Sequence, residues 1–159
     1  MKQLSSKIFV VISALFLISC NRNSPTHDQP SLMQKSAKRG VSFNFTNIQD
    51  LPLLSPAISW SYNWANDQNS TSALWFDTNE MDFCPMCWNG SYSAAKIRQY
   101  VQEHPNTKYL LGFNEPNLTD QCNMTPAQAA EQWPQVVTLA RELNLKLISP
   151  AMNYGTLAG

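Results

Sequence analysis

The sequence predicts an α/β fold in which parallel strands alternate with helices, and it favours part of a (β/α)₈ TIM barrel. Short apolar runs of strand character alternate with amphipathic segments, the pattern of parallel strands joined by crossover helices. Polar and aromatic residues end each run, and a barrel builds its site where its strands end. No glycine-rich phosphate loop follows the first run, which weakens the alternative of a doubly wound nucleotide-binding sheet.

Five segments have the composition of buried strands. They are residues 41–45, 57–64, 81–88, 108–113 and 146–151. The segment 65–80 is rich in Asn, Asp, Ser and Thr, and it is predicted to be mostly loop. A barrel needs eight strands in about 250 residues, whereas this chain has 159. We therefore expect only about the first five strands of a barrel.

Two convincing helices are predicted between these strands. One follows Ser93, where apolar residues recur at helical spacing. The other follows Thr125, which suits an N-cap, while Pro126 suits the first helical position and Gln128 completes a capping box. Pro134 is expected to kink or restart this second helix.

The N-terminal residues have the pattern of a secretory signal. Residues 1–19 hold a basic start and an apolar run of about eleven residues, too short to span a membrane. The run ends in the letters LISC, which resemble the bacterial lipobox and imply a lipid on Cys20. An outer-membrane lipoprotein of the bacterial cell envelope is expected, with an ordinary secreted protein as the alternative. Residues 20–38 are predicted to be a flexible tether, and 39–159 to be the domain.

The charge and composition exclude two classes of protein. Eleven basic residues balance eleven acidic ones without a basic stripe, so no nucleic acid partner is expected. The chain is 43% hydrophobic and 14% charged, which excludes a disordered protein. We expect a monomer with no cofactor and no metal.

The motif that carries chemistry is Asn114-Glu115-Pro116, directly after the fourth predicted strand. A glutamate there can protonate a glycosidic oxygen and later deprotonate a water molecule. An amide beside it can hydrogen-bond the 2-hydroxyl of the sugar. At the end of a barrel's fourth strand, this motif resembles the acid/base signature of the large clan of retaining glycosidases.

Ordered blocks around this motif narrow the resemblance. They are RGVSFN at 39–44, WSYNW at 60–64, PMCW at 85–88, LGFNEPN at 111–117 and SPAMNY at 149–154. Together they resemble the Asl1-like glycosyl hydrolase catalytic domain, glycoside hydrolase family 128. Members have a (β/α)₈ barrel and cleave β-1,3-glucan with retention, so the resemblance implies a hydrolase with a β-glucan polysaccharide as its partner.

The resemblance also assigns roles to residues. Glu115 corresponds to the acid/base, and Asn114 to its sugar-contacting neighbour. Asn153, after the fifth predicted strand, is a candidate substrate hydrogen bond. Sugar rings stack on aromatic side chains through their C–H faces. The aromatic residues that correspond to such contacts are Tyr62, Trp64 and Trp88.

One departure from the family is as informative as the matches. The nucleophile of the family is a second glutamate on the seventh strand, which the five strands expected here do not include. Retaining chemistry needs two carboxyl groups roughly 5–5.5 Å apart. We therefore expect an incomplete enzyme that is inactive as it stands. The alternative is a non-catalytic, glucan-binding surface lipoprotein.

Two further tryptophans are expected to be structural rather than to contact a sugar. They are Trp75, in the predicted loop, and Trp133, on a helix.

The domain also contains Cys84, Cys87 and Cys122. A redox Cys-x-x-Cys motif should open a helix, whereas here it falls within a predicted strand, and a zinc site would have only His104 as a fourth ligand. An oxidising compartment favours a disulfide. We predict the pair Cys87–Cys122, because Cys122 follows the fourth strand, beside the end of the third.

Overall fold

Strands and helices alternate along residues 35–154, the part of the chain that the structure, a computed structural model, describes. The strands are β1 (Ser36–Ser42), β2 (Ile58–Tyr62), β3 (Asp82–Phe83), β4 (Tyr109–Leu111) and β5 (Lys146–Ile148). The helices are α1 (Asp50–Leu54), α2 (Ser70–Thr78), α3 (Ala94–Glu103) and α4 (Pro126–Glu142).

The strands pair in parallel and in chain order. β1, β2 and β3 form one sheet, while β4 and β5 form a second. Between the sheets, Met86 forms a parallel bridge with Leu111, and the Cys87 N–H donates to the Leu111 carbonyl at 2.9 Å. The predicted α/β class with parallel strands is confirmed, and the carboxyl ends of the strands meet at one edge.

The helices cover one face of these strands, above two apolar clusters. The first, around α1, α2 and β3, includes Phe45, Leu51, Ala73, Phe76 and Phe83. The second, around α3, α4 and β4, includes Ile97, Leu110, Phe113, Val136 and Leu139. Removing such side chains from water stabilises the fold by roughly 25 cal/mol per Å² of apolar area.

The opposite face of the strands surrounds a cavity of about 250 Å³. Its lining residues include Trp60, Tyr62, Leu111 and Ile148. In β4, Leu110 is buried toward the helices while Leu111 lines this cavity, as the alternation of a strand requires. Trp60 packs over Gly40 so closely that a Cβ on Gly40 would lie 2.0 Å from its ring.

Both predicted helices are present with their caps. The Ser93 hydroxyl accepts from the Lys96 N–H at 3.3 Å, and Thr125 forms the predicted capping box with Gln128. The helix α4 runs through Pro134 without restarting. The carbonyl of Pro134 accepts a hydrogen bond of 2.8 Å from the Thr138 hydroxyl one turn later.

The predicted loop at 65–80 is partly wrong, because α2 occupies much of it. The Asn69 side chain caps this helix by accepting from the Ser72 N–H at 2.9 Å. Ala73 and Phe76, three residues apart, are its buried apolar residues, so the surrounding polar residues conceal a narrow apolar face. Trp75 therefore lies on a helix rather than in a loop, where it packs against the first cluster.

The predicted tether ends earlier than expected, since β1 begins at Ser36. The Ser59 hydroxyl donates to the Ser36 carbonyl at 2.9 Å, and the Lys35 ammonium reaches the Glu80 carbonyl at 2.8 Å. Pairing with β2, rather than apolar periodicity, makes this polar segment a strand. The predicted signal peptide, Cys20 and the remaining tether lie outside the described residues. No helix within residues 35–154 is long and apolar enough to cross a membrane.

Candidate active site

Glu115 lies just beyond β4, at the edge where the strands end. Its φ of 41° places it in the left-handed region, which costs a residue with a side chain roughly 1–2 kcal/mol. The Leu118 N–H donates to its carbonyl at 3.0 Å, closing a turn. The residue is half-buried, so the carboxyl group is placed by the backbone and still reaches solvent. Strained backbone held in this way is a feature of functional sites.

Asn114, the residue before it, is buried, with 6% of its surface exposed. Its backbone N–H donates to the Trp88 carbonyl at 2.9 Å, which joins the ends of the third and fourth strand segments. Its side-chain Nδ2 donates to Gln121 Oε1 at 2.9 Å. An amide nitrogen has two N–H groups, so Gln121 orients the amide while a second donor remains.

Asn153 approaches the carboxyl group of Glu115 from the loop after β5. Its Nδ2 donates to Glu115 Oε1 at 3.4 Å, at the long end of the hydrogen-bond range. Its backbone is paired with the side chain of Asn117, at 2.9 Å through its carbonyl and 3.1 Å through its N–H. The structure thus brings Asn153 to the carboxyl group of Glu115, and its predicted hydrogen bond with the substrate stays a prediction.

The predicted aromatic residues occupy the same edge. Tyr62 is the last residue of β2 and Trp64 lies two residues beyond it, and their rings meet edge to face at 5.4 Å between centroids. Trp64 is 41% exposed and has a φ of 60°. Trp88 is half-buried, and its backbone holds Asn114. Partly exposed aromatic rings at the edge that also carries Glu115 provide a surface on which a sugar can stack.

Asparagine side chains organise the loop that carries Trp64, a role that the sequence did not reveal. The Asn63 side chain accepts from the Ala65 N–H at 3.1 Å and donates to the Asp67 carbonyl at 3.2 Å. The Asn66 amide donates to the Met86 carbonyl at 2.9 Å, tying this loop to the neighbouring strand segment. Short amides bond locally to the backbone and tolerate turns, which is the one signal that could have indicated this role.

Gln121 and Asn117 were also missed as supports of the site. The Gln121 side chain contacts Asn114, seven residues earlier, and the Asn117 side chain contacts Asn153, 36 residues later. Asn117 is the last residue of the block LGFNEPN at 111–117, but no periodicity in the sequence indicates its partner. Trp133, predicted to be structural, packs against the ring of Phe113 at 5.7 Å.

The three cysteines of the described residues are free, so the predicted Cys87–Cys122 disulfide is absent from the structure. Both thiols lie in the second apolar cluster, where cysteine packs as a small hydrophobic side chain. Burial raises the pKa of Cys87 to about 12, and burial, followed by the charge of Asp82, raises the pKa of Cys84 to about 12. Thiol–disulfide exchange needs the thiolate, which is therefore scarce at neutral pH. Within residues 35–154, no group of three or more His, Cys, Asp or Glu side chains could hold a metal ion.

A glutamate and aromatic rings at the carboxyl edge of parallel α/β strands form the type of site found in glycoside hydrolases. Residues 40–158 match the family model described as the glycosyl hydrolase catalytic core. The chain belongs to this family. A comparison with curated proteins found no significant match.

Solved structures place the chain near glycoside hydrolase family 128, which confirms the resemblance. A subgroup II endo-β-1,3-glucanase from Pseudomonas viridiflava is 40% identical with a TM-score of 0.70, over 76% of this chain and 48% of the enzyme. A subgroup II enzyme of the same activity from Sorangium cellulosum is 33% identical with a TM-score of 0.64, over 79% and 48%. A subgroup I endo-β-1,3-glucanase from Amycolatopsis mediterranei, in complex with laminaritriose, is 25% identical with a TM-score of 0.51, over 77% and 45%. The chain spans about half the length of these enzymes.

Proposed function

We propose that the chain carries the acid/base half of a retaining hydrolase of β-1,3-glucan. The observation that supports this most is Glu115, held beyond β4 in a left-handed conformation with Asn114 before it. The aromatic side chains that follow the strands lie at the same edge. The similar enzymes are described as β-1,3-glucanases, and one of them is bound to laminaritriose.

The proposed fold is the first five strands of a (β/α)₈ barrel. The parallel chain-order pairing and the cavity on the face opposite the helices support it. In a barrel that face is the interior, filled by layers of side chains from all the strands. The nucleophile then comes from a part of the barrel that these five strands do not contain.

In the proposed reaction, the glucan chain lies across the strand ends and stacks on Tyr62, Trp64 and Trp88. Glu115 protonates the glycosidic oxygen while the second carboxylate attacks the anomeric carbon and forms a glycosyl-enzyme. The Asn114 amide bonds the 2-hydroxyl, a contact that strengthens in the transition state. Glu115, now ionised, then takes a proton from the water that releases the sugar with its configuration retained.

The variant Glu115→Gln tests this function in the longest reading frame that contains these residues. General acid catalysis is worth about 10²–10⁴-fold, and turnover of laminarin should fall by that factor. An aryl β-glucoside with a good leaving group needs less protonation, so its first step should suffer less. Azide should then restore turnover and yield the β-azide, because azide needs no general base and two inversions give retention.

The matched control is Glu131→Gln, an exposed glutamate on α4 at which the same substitution should leave turnover unchanged. Near-normal hydrolysis of laminarin by Glu115→Gln would rule out the acid/base role. Formation of the α-azide would show an inverting mechanism instead. Loss of all activity without azide rescue would assign Glu115 a structural role.

The proposed location is the bacterial outer membrane, with a lipid on Cys20. The support is the sequence around Cys20 and the polar segment after it. Cys20→Ser should remove incorporation of labelled palmitate and move the protein from the membrane fraction to the soluble fraction. A processed Cys20→Ser protein that still sediments with membranes would contradict the anchor.

A further inference from the structure

The side chain of Asn117 continues the pairing between the ends of β4 and β5. The ladder of backbone hydrogen bonds there runs from the Gly112 N–H to the Ile148 carbonyl and from the Ala151 N–H to the Phe113 carbonyl, both at 3.1 Å. Beyond it, Asn117 Nδ2 donates to the carbonyl of Asn153 at 2.9 Å, and Asn117 Oδ1 accepts from the N–H of Asn153 at 3.1 Å.

A carboxamide offers the same donor and acceptor as a peptide group. By bonding both polar groups of one residue, Asn117 acts as an additional strand residue would, at a point where the chain has already turned after Glu115. The loop that carries Glu115 is closed on itself by the Leu118 N–H to Glu115 carbonyl bond at 3.0 Å and the Met124 N–H to Pro116 carbonyl bond at 2.8 Å. Asn117 joins this closed loop to the segment after β5.

This pairing places the side chain of Asn153 against the carboxyl group of Glu115. With its backbone held, the Asn153 amide points its Nδ2 at Glu115 Oε1, 3.4 Å away. A donor on Oε1 leaves Oε2 to carry the proton. Oε2 can then give that proton to the glycosidic oxygen and accept one from water in the second step.

We propose that Asn117 is a positioning residue for the acid/base, acting through the backbone of Asn153. The assignment rests on the proposed function of Glu115. An acid must lie within hydrogen-bond reach of the oxygen it protonates, and a misplacement of about 1 Å can cost about 10²-fold in rate. Asn117 needs no contact with the sugar for this role, because its two hydrogen bonds fix the position from which Asn153 reaches the carboxyl group.

The test measures kcat/KM of Asn117→Ala, in the longest reading frame that contains these residues, on two substrates. Laminarin has a poor leaving group that needs the acid, whereas 2,4-dinitrophenyl β-laminaribioside has a good one that does not. For a retaining enzyme, kcat/KM reports the first step on both. We expect a loss of about 10- to 100-fold on laminarin and less than about threefold on the aryl glycoside, with little change in KM.

Two further variants separate positioning from folding. Asn117→Leu keeps the size of the side chain without its hydrogen bonds and should repeat the selective loss, including where Asn117→Ala does not fold. Asn106→Ala removes an exposed asparagine that precedes β4, at the opposite edge of the strands, and should change neither substrate. Thermal unfolding of each variant shows whether the fold is retained.

The outcomes are distinct. Equal losses on both substrates, or failure of both Asn117 variants to fold, would make Asn117 a structural residue and overturn the proposal. No loss on either substrate would overturn it as well, because it would show that Asn117 does not position the acid. When the wild-type enzyme hydrolyses both substrates and the Asn117 variants show no selective loss, the positioning role alone is overturned. A wild-type protein that hydrolyses neither would overturn the proposed function, and the role of Asn117 with it.

Discussion

At the residue scale, the position of Asn114-Glu115-Pro116 at the end of a strand could be predicted from the sequence, but the contacts that support this motif could not. Glu115 and Asn114 follow an apolar strand, and the end of a strand is a position that sequence periodicity can locate. The contacts of Asn117 with Asn153 and of Asn114 with Gln121 join residues on loops. Loop conformation depends on turns and tertiary contacts that have no period, so the partners appear only in the folded chain.

The buried thiols give a prediction at this scale. Because burial raises the pKa of Cys84 and Cys87 to about 12, only roughly one molecule in ten thousand carries either thiolate at pH 8. Burial also raises the pKa of Cys122. A thiol-reactive aromatic disulfide should therefore label these thiols slowly in the native protein, and faster as the pH rises toward 12.

The number of thiols that react after unfolding tests the disulfide directly. In a Cys20→Ser variant without added reductant, we expect Cys84, Cys87 and Cys122 all to react once denaturant exposes them, as the free thiols of the structure require. Reaction of a single thiol, and of all three only after reduction, would mean that the protein forms a disulfide. The pair could then be identified by peptide mapping.

At the scale of elements, helices with a wide apolar face could be predicted, and those with a narrow or short one were missed, even though Asn69 caps α2. The helix α4 has a capping box and a proline at its start, and its apolar residues recur over 17 residues. The helix α2 has nine residues with few buried apolar positions, and α1 has only five. Helices this short are stabilised by packing on the sheet rather than by their own sequence signal.

Gly112 permits α4 to approach the end of β4 beside the motif. A Cβ on Gly112 would lie 2.7 Å from the ring of Trp133 and 3.1 Å from the carbonyl of Ile148. The ring and the backbone cannot both yield without a shift of the helix or of β5. We expect Gly112→Ala to lower the free energy of unfolding by about 1–3 kcal/mol in denaturant titration.

Gly90→Ala is the matched control for this substitution. A Cβ there would lie 1.6 Å from Oε1 of Gln132, the far end of a flexible side chain that can rotate away. We expect a loss of less than about 1 kcal/mol, because rotamer change is cheap compared with overpacking of a core. An equal or larger loss of stability for Gly90→Ala would contradict the inference that packing tolerates a side chain less well at Gly112 than at Gly90.

At the scale of the whole molecule, the order and direction of the strands could be predicted, and their lengths could not. Alternation of strands with helices implies parallel strands, and the barrel that the sequence favours places them in chain order, which is what the pairing shows. The predicted third strand, 81–88, is the short β3 followed by a single bridge at Met86. Its Pro85 has no N–H for a ladder, and residues 84–87 pair only in part, so a continuous apolar run overstates the strand.

The last prediction concerns catalysis by the 159-residue polypeptide alone. Retention needs a second carboxyl group roughly 5–5.5 Å from the acid/base. In the proposed reaction that second carboxylate comes from a part of the barrel outside the five strands, and Glu115 itself is contacted by the Asn153 amide at 3.4 Å. We therefore expect the purified polypeptide to release no reducing sugar from laminarin, while the Pseudomonas viridiflava enzyme, assayed beside it, does. Turnover that disappears in Glu115→Gln would contradict this, because it would mean that the 159 residues already contain both carboxyl groups of the reaction.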